Sequence, residues 1–383
     1  MLSVTALPAV EAIQSALATV NDPEIRRPIT ELGMVDSVDI DRAGRVRVGV
    51  LLTVAGCPLK ETLTRDVTNA VSRIDGVAGV DVVLGVMTEE QRKTLQTQLR
   101  GAQASRDIPF AKPSSLTRIY AVASGKGGVG KSSITVNLAA TMAASGLSVG
   151  VVDADIYGHS VPRMLGVTGL PTKVQDMIMP PTAHGIRVIS IGMFTGGNRP
   201  VVWRGPMLHR ALEQFLADVY WGDLDVLFLD LPPGTGDIAI SVAQLLPGTE
   251  VLVVTTPQVA AAEVAERAGS IAAQTKQQVA GVIENMSGLP CPHCGEVVEV
   301  FGSGGGAAVA AGLTRTLGYD VPLLGQVPIE VALREGADIG EPFALHRPDT
   351  LAGTELVRIA DQLGNRARGL AGRSLGLTPV AAH

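Results

Sequence analysis

Two short stretches of this 383-residue chain hold residue types that do chemistry at spacings that suit it. The first is SGKGGVGKSS, Ser124–Ser133, within which Gly125–Ser132 fits GxxxxGK[ST]. Glycines at Gly125, Gly127, Gly128 and Gly130 let successive backbone N–H groups turn inward around phosphate oxygens. A helix that follows adds its positive N-terminal end. Lys131 then reaches the β- and γ-phosphates, and the Ser132 hydroxyl is placed to ligate Mg²⁺. The second stretch is CPHC, in which Cys291 and Cys294 are two residues apart. That spacing leaves an iron–sulfur cluster, a zinc ion and a redox pair open. Cluster and zinc sites take four ligands as a rule, yet the whole chain has only 3 cysteines.

Acidic residues end two apolar runs near the glycine loop in the sequence pattern. DVLFLD ends at Asp230, where a carboxylate serves the Mg²⁺ water shell, and it runs into LPPGTGD, whose Gly236 N–H suits a γ-phosphate. LSVGVVDADIYG supplies Asp153 and Asp155, and Asp155 is the candidate for orienting an attacking water. Lys126 is a second lysine inside the loop. It cannot easily fold back onto its own phosphates, which leaves a neighbour's within reach. Neither NKxD nor TKxD is present to select guanine, so ATP is expected, with Asn285 near the base. Candidate nucleotide contacts are therefore Gly125, Lys126, Gly127, Gly128, Val129, Gly130, Lys131, Ser132, Ser133 and Asn285. Cys57 sits at the helix start predicted in AGCPLKE, a position that lowers a thiol pKa.

These residues need a scaffold, and the hydropathy pattern supplies one. From Arg118 onward, runs such as IYAVAS, LSVGVVD, IRVISI, DVLFLD, EVLVVTT and VAGVIEN alternate with helical patterns. The helical stretches are Lys131–Ser145, Met207–Tyr220, Ile238–Leu246 and Ala260–Thr275. Continuous apolar strands alternating with helices predict an α/β fold, a mostly parallel sheet with helices on both faces. Before it, a helix over Ala9–Thr19, a strand over Arg45–Val54, a helix over Leu59–Ile74 and a strand over Val77–Val86 predict a small N-terminal α+β domain. The expected division is residues 1–90 for that domain, 91–117 for a linker, 118–370 for the nucleotide domain and 371–383 for a tail.

A net charge of −6 gives no general attraction to nucleic acid or anionic lipid. No run approaches the ~18 apolar residues of a membrane span, and MLSVTALPAVEAIQ lacks the basic and apolar regions of a signal peptide. With three cysteines there is no disulfide framework, so a cytoplasmic setting is expected.

KGGVGKS with the extra Lys126 resembles the deviant Walker A loop of the MinD/ParA/nitrogenase-iron-protein class of dimeric ATPases. Within that class, VASGKGGVGKSSITVNLA, DADIYGHSVPRMLG, WRGPM, DLPPGTGD, IENMS and CPHCG are similar to the Mrp/ApbC group of iron–sulfur cluster carrier ATPases. His159–Ser160 departs from the usual Pro-Ser, at a position without a catalytic role. DPEIRRPITELGMVDSV, LTVAGCPLKETL and VAGVDVVL resemble a small domain linked to iron–sulfur maturation.

The resemblance implies a slow, switch-type ATPase acting as a homodimer. Lys126 would cross to the partner's ATP, Lys131 and Ser132 would contact phosphate and Mg²⁺, and Asp155 and Asp230 would serve water and metal. Asn285 would meet adenine. Cys291 and Cys294, doubled across a two-fold axis, would hold a labile [4Fe–4S] cluster for delivery to apo iron–sulfur proteins, with cluster-assembly proteins as further partners. The competing expectations are a MinD/ParA-type spatial or partition ATPase, a zinc-stapled ATPase and an electron-transfer protein.

Overall fold

The computed structural model describes residues 7–53, 59–100, 108–112, 114–155, 158, 160–194, 205–234, 236–258, 267, 271–291 and 293–365. Cys57, His159, most of the helix expected over Ala260–Thr275, the first residues of WRGPM and the tail from residue 371 lie outside these. The chain divides into two units, one of residues 1–106, 169–181 and 218–222, the other of residues 107–168, 182–217 and 223–383.

The smaller unit holds α1 (Val10–Leu17), β1 (Val35–Ile40), β2 (Arg45–Leu52), α2 (Lys60–Val71), β3 (Gly79–Val86) and α3 (Glu89–Arg100). Asp41 makes the β1–β2 turn: its carboxylate accepts from Ala43 N at 2.8 Å and Arg45 N at 2.9 Å. β1 and β2 are antiparallel, and β3 returns parallel to β2 after α2. Alternation in β2 sends Val46, Val48 and Val50 to one face, where they share a core with Ile13 and Leu17 of α1 and Leu63, Val67 and Val71 of α2. Those helical residues are spaced four apart, which makes each set one stripe.

A second stretch of chain completes this core. Residues 169–181 form a hairpin of β6 (Thr172–Val174) and β7 (Met177–Met179), and Val174, Met177 and Met179 are buried with the side chains just named. The sequence pattern predicted a helix running to Tyr220. The observed helix ends at Ala217, because Ile178 N donates to Asp218 O and Tyr220 N donates to Ile178 O, each at 2.8 Å, which draws these residues onto the hairpin.

The larger unit is built on an eight-stranded sheet in the order β15-β12-β11-β4-β10-β5-β9-β8. Its strands are β4 (Arg118–Ser124), β5 (Val149–Asp153), β8 (Thr182–Ala183), β9 (Ile186–Ser190), β10 (Val226–Asp230), β11 (Glu250–Thr255), β12 (Gln278–Asn285) and β15 (Leu323–Val327). Only β8 runs antiparallel to its neighbour. The expected mostly parallel α/β sheet is what forms, with helices flanking it. α4 (Lys131–Ala144) lies between the sheet and α10 (Phe343–His346) and α11 (Leu351–Gly364), so it is buried nearly all round and lacks a polar face. Its one interior amide is satisfied twice: Asn137 donates to Ser133 O at 2.9 Å and accepts from Ala344 N at 2.8 Å.

β10 sits between β4 and β5, with Asp230 level with both Val122 and Asp153. Three carboxyl ends of parallel strands therefore meet at one edge of the sheet, where open α/β sheets bind ligands. The remaining elements are α5 (Val161–Met164), α6 (Gly205–Ala217), α7 (Asp237–Leu245), the small hairpin β13 (Leu289–Pro290) and β14 (Val297–Val298), α8 (Gly305–Leu317) and α9 (Val331–Ile339).

Candidate functional site

β4 ends at Ser124, and the glycine loop turns from it into α4. Gly128 and Gly130 have φ of 81° and 79°, the left-handed region that favours glycine, and a Cβ on Gly130 would collide with the Asn285 amide nitrogen. The loop borders a cleft of about 200 Å³ lined by Lys126, Gly127 to Ser133, Asp155, Met164 and Pro233. Ser124 lines it as well, and Gly125 between Ser124 and Lys126 completes the expected loop.

At the floor of the cleft, Lys131 Nζ lies 2.6 Å from Asp230 Oδ2, with both side chains almost fully buried. Ser132 Oγ donates to the same carboxylate oxygen at 2.6 Å, and Thr135 Oγ1 donates to Oδ1 at 2.7 Å. Thr135 escaped the sequence reading, although its place one helical turn after Lys131 puts it on the same face.

Asp153 is fully buried beside this cluster. Its Oδ2 accepts from Ser190 Oγ at 3.1 Å and Val161 N at 3.3 Å, and its Oδ1 accepts from Asp155 N at 3.2 Å. Burial first, and then the charge of Asp230, push its pKa up to about 8, against the opposing pull of Lys131 and the hydrogen bonds. Asp153 thus organises the loop that carries Asp155. Asp155 lines the cleft itself, and its Oδ1 accepts from Gly158 N at 2.9 Å.

Asn285 ends β12 and braces the loop, donating from Nδ2 to Val129 O at 2.9 Å. Lys126 lies at the rim. Its Nζ donates to Gln258 Oε1 of the same chain at 2.6 Å, a partner that no sequence pattern points to.

The thiols sit on the β13–β14 hairpin. Cys291 N donates to Glu296 O at 2.8 Å, Gly295 N donates to Cys291 O at 2.9 Å, and Gly295 has φ of 75°. The turn points the N–H groups of Cys294 and His293 at the Cys291 sulfur, which lowers its pKa and favours the thiolate. Cys294 is exposed, as are Val297, Val298, Val300 and Phe301 beside it. Among the described residues no three His, Cys, Asp or Glu side chains converge as a metal site, so the hairpin offers two thiols and no further ligand of its own.

The family described as NUBPL iron-transfer P-loop NTPase matches residues 115–364, and the one described as iron-sulfur cluster assembly protein matches residues 10–82. The chain is 64% identical over 369 residues to the iron-sulfur cluster carrier protein of Mycobacterium tuberculosis (strain ATCC 25618 / H37Rv), covering 96% of this chain and 97% of that one. It is 41% identical over 359 residues to the carrier protein of the same name from Deinococcus radiodurans, covering 93% and 95%. Among solved structures it resembles a nucleotide-binding protein from Archaeoglobus fulgidus in complex with ADP, at 33% identity and a TM-score of 0.50, over 67% of this chain and 92% of that one. These likenesses bear out the resemblance read from the motifs. The chain belongs to the iron-transfer P-loop NTPase family and carries an iron–sulfur cluster assembly domain ahead of its nucleotide-binding part.

Proposed function

We propose that the protein is an ATP-hydrolysing iron–sulfur cluster carrier. Two copies hold one labile [4Fe–4S] cluster between their CxxC hairpins and pass it to apo-proteins. The observation that carries this reading is an imbalance: one chain assembles the glycine loop with Lys131, Ser132 and Asp230 and lacks only the lysine a partner lends, while its thiol site is half of one. Two thiolates, an exposed apolar surface next to them and no further ligand among the described residues call for a second copy. The carrier proteins to which the chain is similar support the cargo, and the ADP-bound relative supports the nucleotide.

In this reading Lys131 and the loop N–H groups hold the β- and γ-phosphates, Lys126 crosses to the partner's ATP, and adenine lies beside Asn285. Asp155 orients the attacking water. Ser132 and Asp230 fit Mg²⁺, since a hydroxyl and a carboxylate 2.6 Å apart are the hard oxygen donors the ion takes. Bound there, the ion neutralises charge on the phosphate oxygens. Residues 1–90 serve cluster assembly and residues 118–370 serve the ATPase; of 91–117 between them, α3 continues the smaller unit to Arg100 and the remainder links the two, and 371–383 are a tail. The proposed setting is the cytoplasm. The net charge of −6 favours protein partners over nucleic acid or a membrane surface, and among the described residues no helix is long and apolar enough to span a membrane.

The test is anaerobic reconstitution with iron and sulfide, followed by metal analysis and an absorbance spectrum. About two irons and two sulfides per chain in a dimer is the expected result. About half a zinc per chain with no brown chromophore would replace the carrier reading with a structural staple.

A further inference from the structure

We infer that Gln258 is a positioning residue that retains Lys126 on its own subunit, and that the turn leaving the thiol hairpin fixes where Gln258 stands. The inference rests on the reading of Lys126 as the lysine that crosses to a partner's ATP, and it adds a hold that must be released first.

The hold is direct. Lys126 Nζ donates to Gln258 Oε1 at 2.6 Å, and Ser124 Oγ donates to Lys126 O at 3.1 Å, fixing the backbone below it. An ammonium has three N–H donors, so the competition is one of reach rather than of donor number: a four-carbon stem extended to a phosphate across an interface is drawn away from an amide on its own subunit. Pairing of two chains through Lys126 therefore breaks the bond to Gln258 in each.

The position of Gln258 is set from the other side. It follows Thr256 and Pro257 at the end of β11. A Cβ on Gly305 would stand 2.5 Å from Thr256 O and 2.6 Å from Pro257 O, so the two backbones meet as closely as glycine allows. The neighbouring Gly306 N donates to Glu284 Oε2 at 2.5 Å, and Glu284 Oε1 accepts from Gln326 Nε2 at 2.7 Å. Glu284 is fully buried, and the next residue is Asn285, which braces the nucleotide loop at Val129. The thiol hairpin thus leaves the sheet after Asn285 and comes back at Gly305. Its entry is tied to the phosphate loop and its exit to the segment that holds Lys126. A shift of the exit turn, such as ordering of the two thiolates on a cargo would impose, moves the backbone of Gln258 and hence the hold.

The experiment is sedimentation velocity of the full chain with Mg²⁺ and a non-hydrolysable ATP analogue. Gln258→Ala removes a hydrogen bond to a charged donor and is expected to pair at about ten-fold lower protein concentration than the parent. Gln258→Glu puts a carboxylate at the same reach, strengthens the hold and is expected to shift pairing to higher concentration. Displacement in opposite directions is the signature of a hold, because a residue needed only for folding would impair pairing in both variants. ADP affinity should stay at the parent value in each. Gly305→Ala, which forces Thr256 and Pro257 away, should pair as Gln258→Ala does; pairing at the parent concentration would remove the hairpin from the inference. Gln258→Ala pairing no more readily than the parent, while Lys126→Ala fails to pair, overturns the hold and leaves the crossing lysine standing. Lys126→Ala pairing like the parent overturns the crossing lysine and the hold with it.

Discussion

The nucleotide cleft and the thiol hairpin lie in one unit of the protein and are built by opposite means. At the floor of the cleft the buried polar side chains have partners from their own chain: Asp230 alone takes Lys131, Ser132 and Thr135. Low dielectric strengthens such a network and makes any unpaired member costly, so it is rigid before a ligand arrives. The hairpin has two short strands, few backbone bonds, an exposed Cys294 and four exposed apolar side chains. Local structure of that kind opens at low free energy. A site that grips the same ligand in every cycle suits the first design. A site that takes up and gives away a cargo, with its other half from a second chain as proposed above, suits the second.

The largest effect that sharpens this contrast should come from the hairpin. Cys291→Ala with Cys294→Ala is expected to lose all reconstituted cluster while nucleotide affinity, measured by titration with a fluorescent ATP analogue, stays unchanged. Retention of the parent's iron and sulfide in the double variant would break the comparison, because the cargo would then lie elsewhere. Next comes Lys131→Ala. Removing the phosphate lysine also leaves Asp230 buried without its cation, so hydrolysis should fall by at least about a hundred-fold. Iron bound after reconstitution should remain. A variant that hydrolyses ATP at the parental rate would show that the buried pair is structural.

Thr135→Val is a finer probe of the same network. The hydroxyl is buried and donates to Asp230 Oδ1, and valine fills the space while offering no hydrogen. The lost bond to a charged acceptor amounts to about 1.5–3 kcal/mol, of which only the part that differs between ground and transition state reaches the rate. A fall in turnover of about ten-fold is expected, with cluster content untouched. Turnover equal to the parent's would mean that Asp230 needs only Lys131 and Ser132 to stay in place.

What the sequence disclosed follows the same division. The cleft was legible because its chemistry is local: Gly125–Ser133 is one continuous stretch of loop and first helical turn, and Asp230 ends, and Asp155 closely follows, an apolar run that reads as a buried strand. The two thiols were legible for the same reason. What escaped depends on residues far apart in the chain. Gln258 meets Lys126 across 132 positions, and nothing in TTPQ announces it. Asp153 stands two residues before Asp155 in the same stretch, and that its two oxygens are occupied by Ser190, Val161 and Asp155 is a fact of tertiary packing. The hairpin at residues 172–179 was missed because its strands are three residues each, shorter than any periodicity can resolve, and its Met177 and Met179 are buried among residues from the first hundred. β15 was missed for a similar reason: its run LLGQV is five residues long and interrupted by Gly325 and Gln326.

Folding stability, rather than turnover, tests whether the cleft is as tightly closed as its geometry implies. Asp153, pushed up to about 8 by burial and by Asp230, binds its proton more tightly in the folded chain than in the unfolded one. Its share of stability is then fully present below the unfolded value of about 3.9 and is lost as pH rises through about 8. Across pH 5 to 8 this one group should lower folding stability by up to about 1.4 kcal/mol per pH unit. Glu24 of the small unit is pushed up to about 7 by burial and by Asp22, and acts with the same sign, but it is present in parent and variant and cancels in their difference. Asp153→Asn cannot ionise, so its stability curve should be flatter by that slope. An amide has one oxygen, so it cannot accept from both Asp155 N on one side and the Ser190–Val161 pair on the other. The variant should therefore begin below the parent near pH 5 and close the gap toward pH 8. Denaturant titrations of both proteins without nucleotide at several pH values measure this directly. Parallel curves would mean that water reaches Asp153 and that the cleft floor is as open as the thiol hairpin, which would erase the contrast between them.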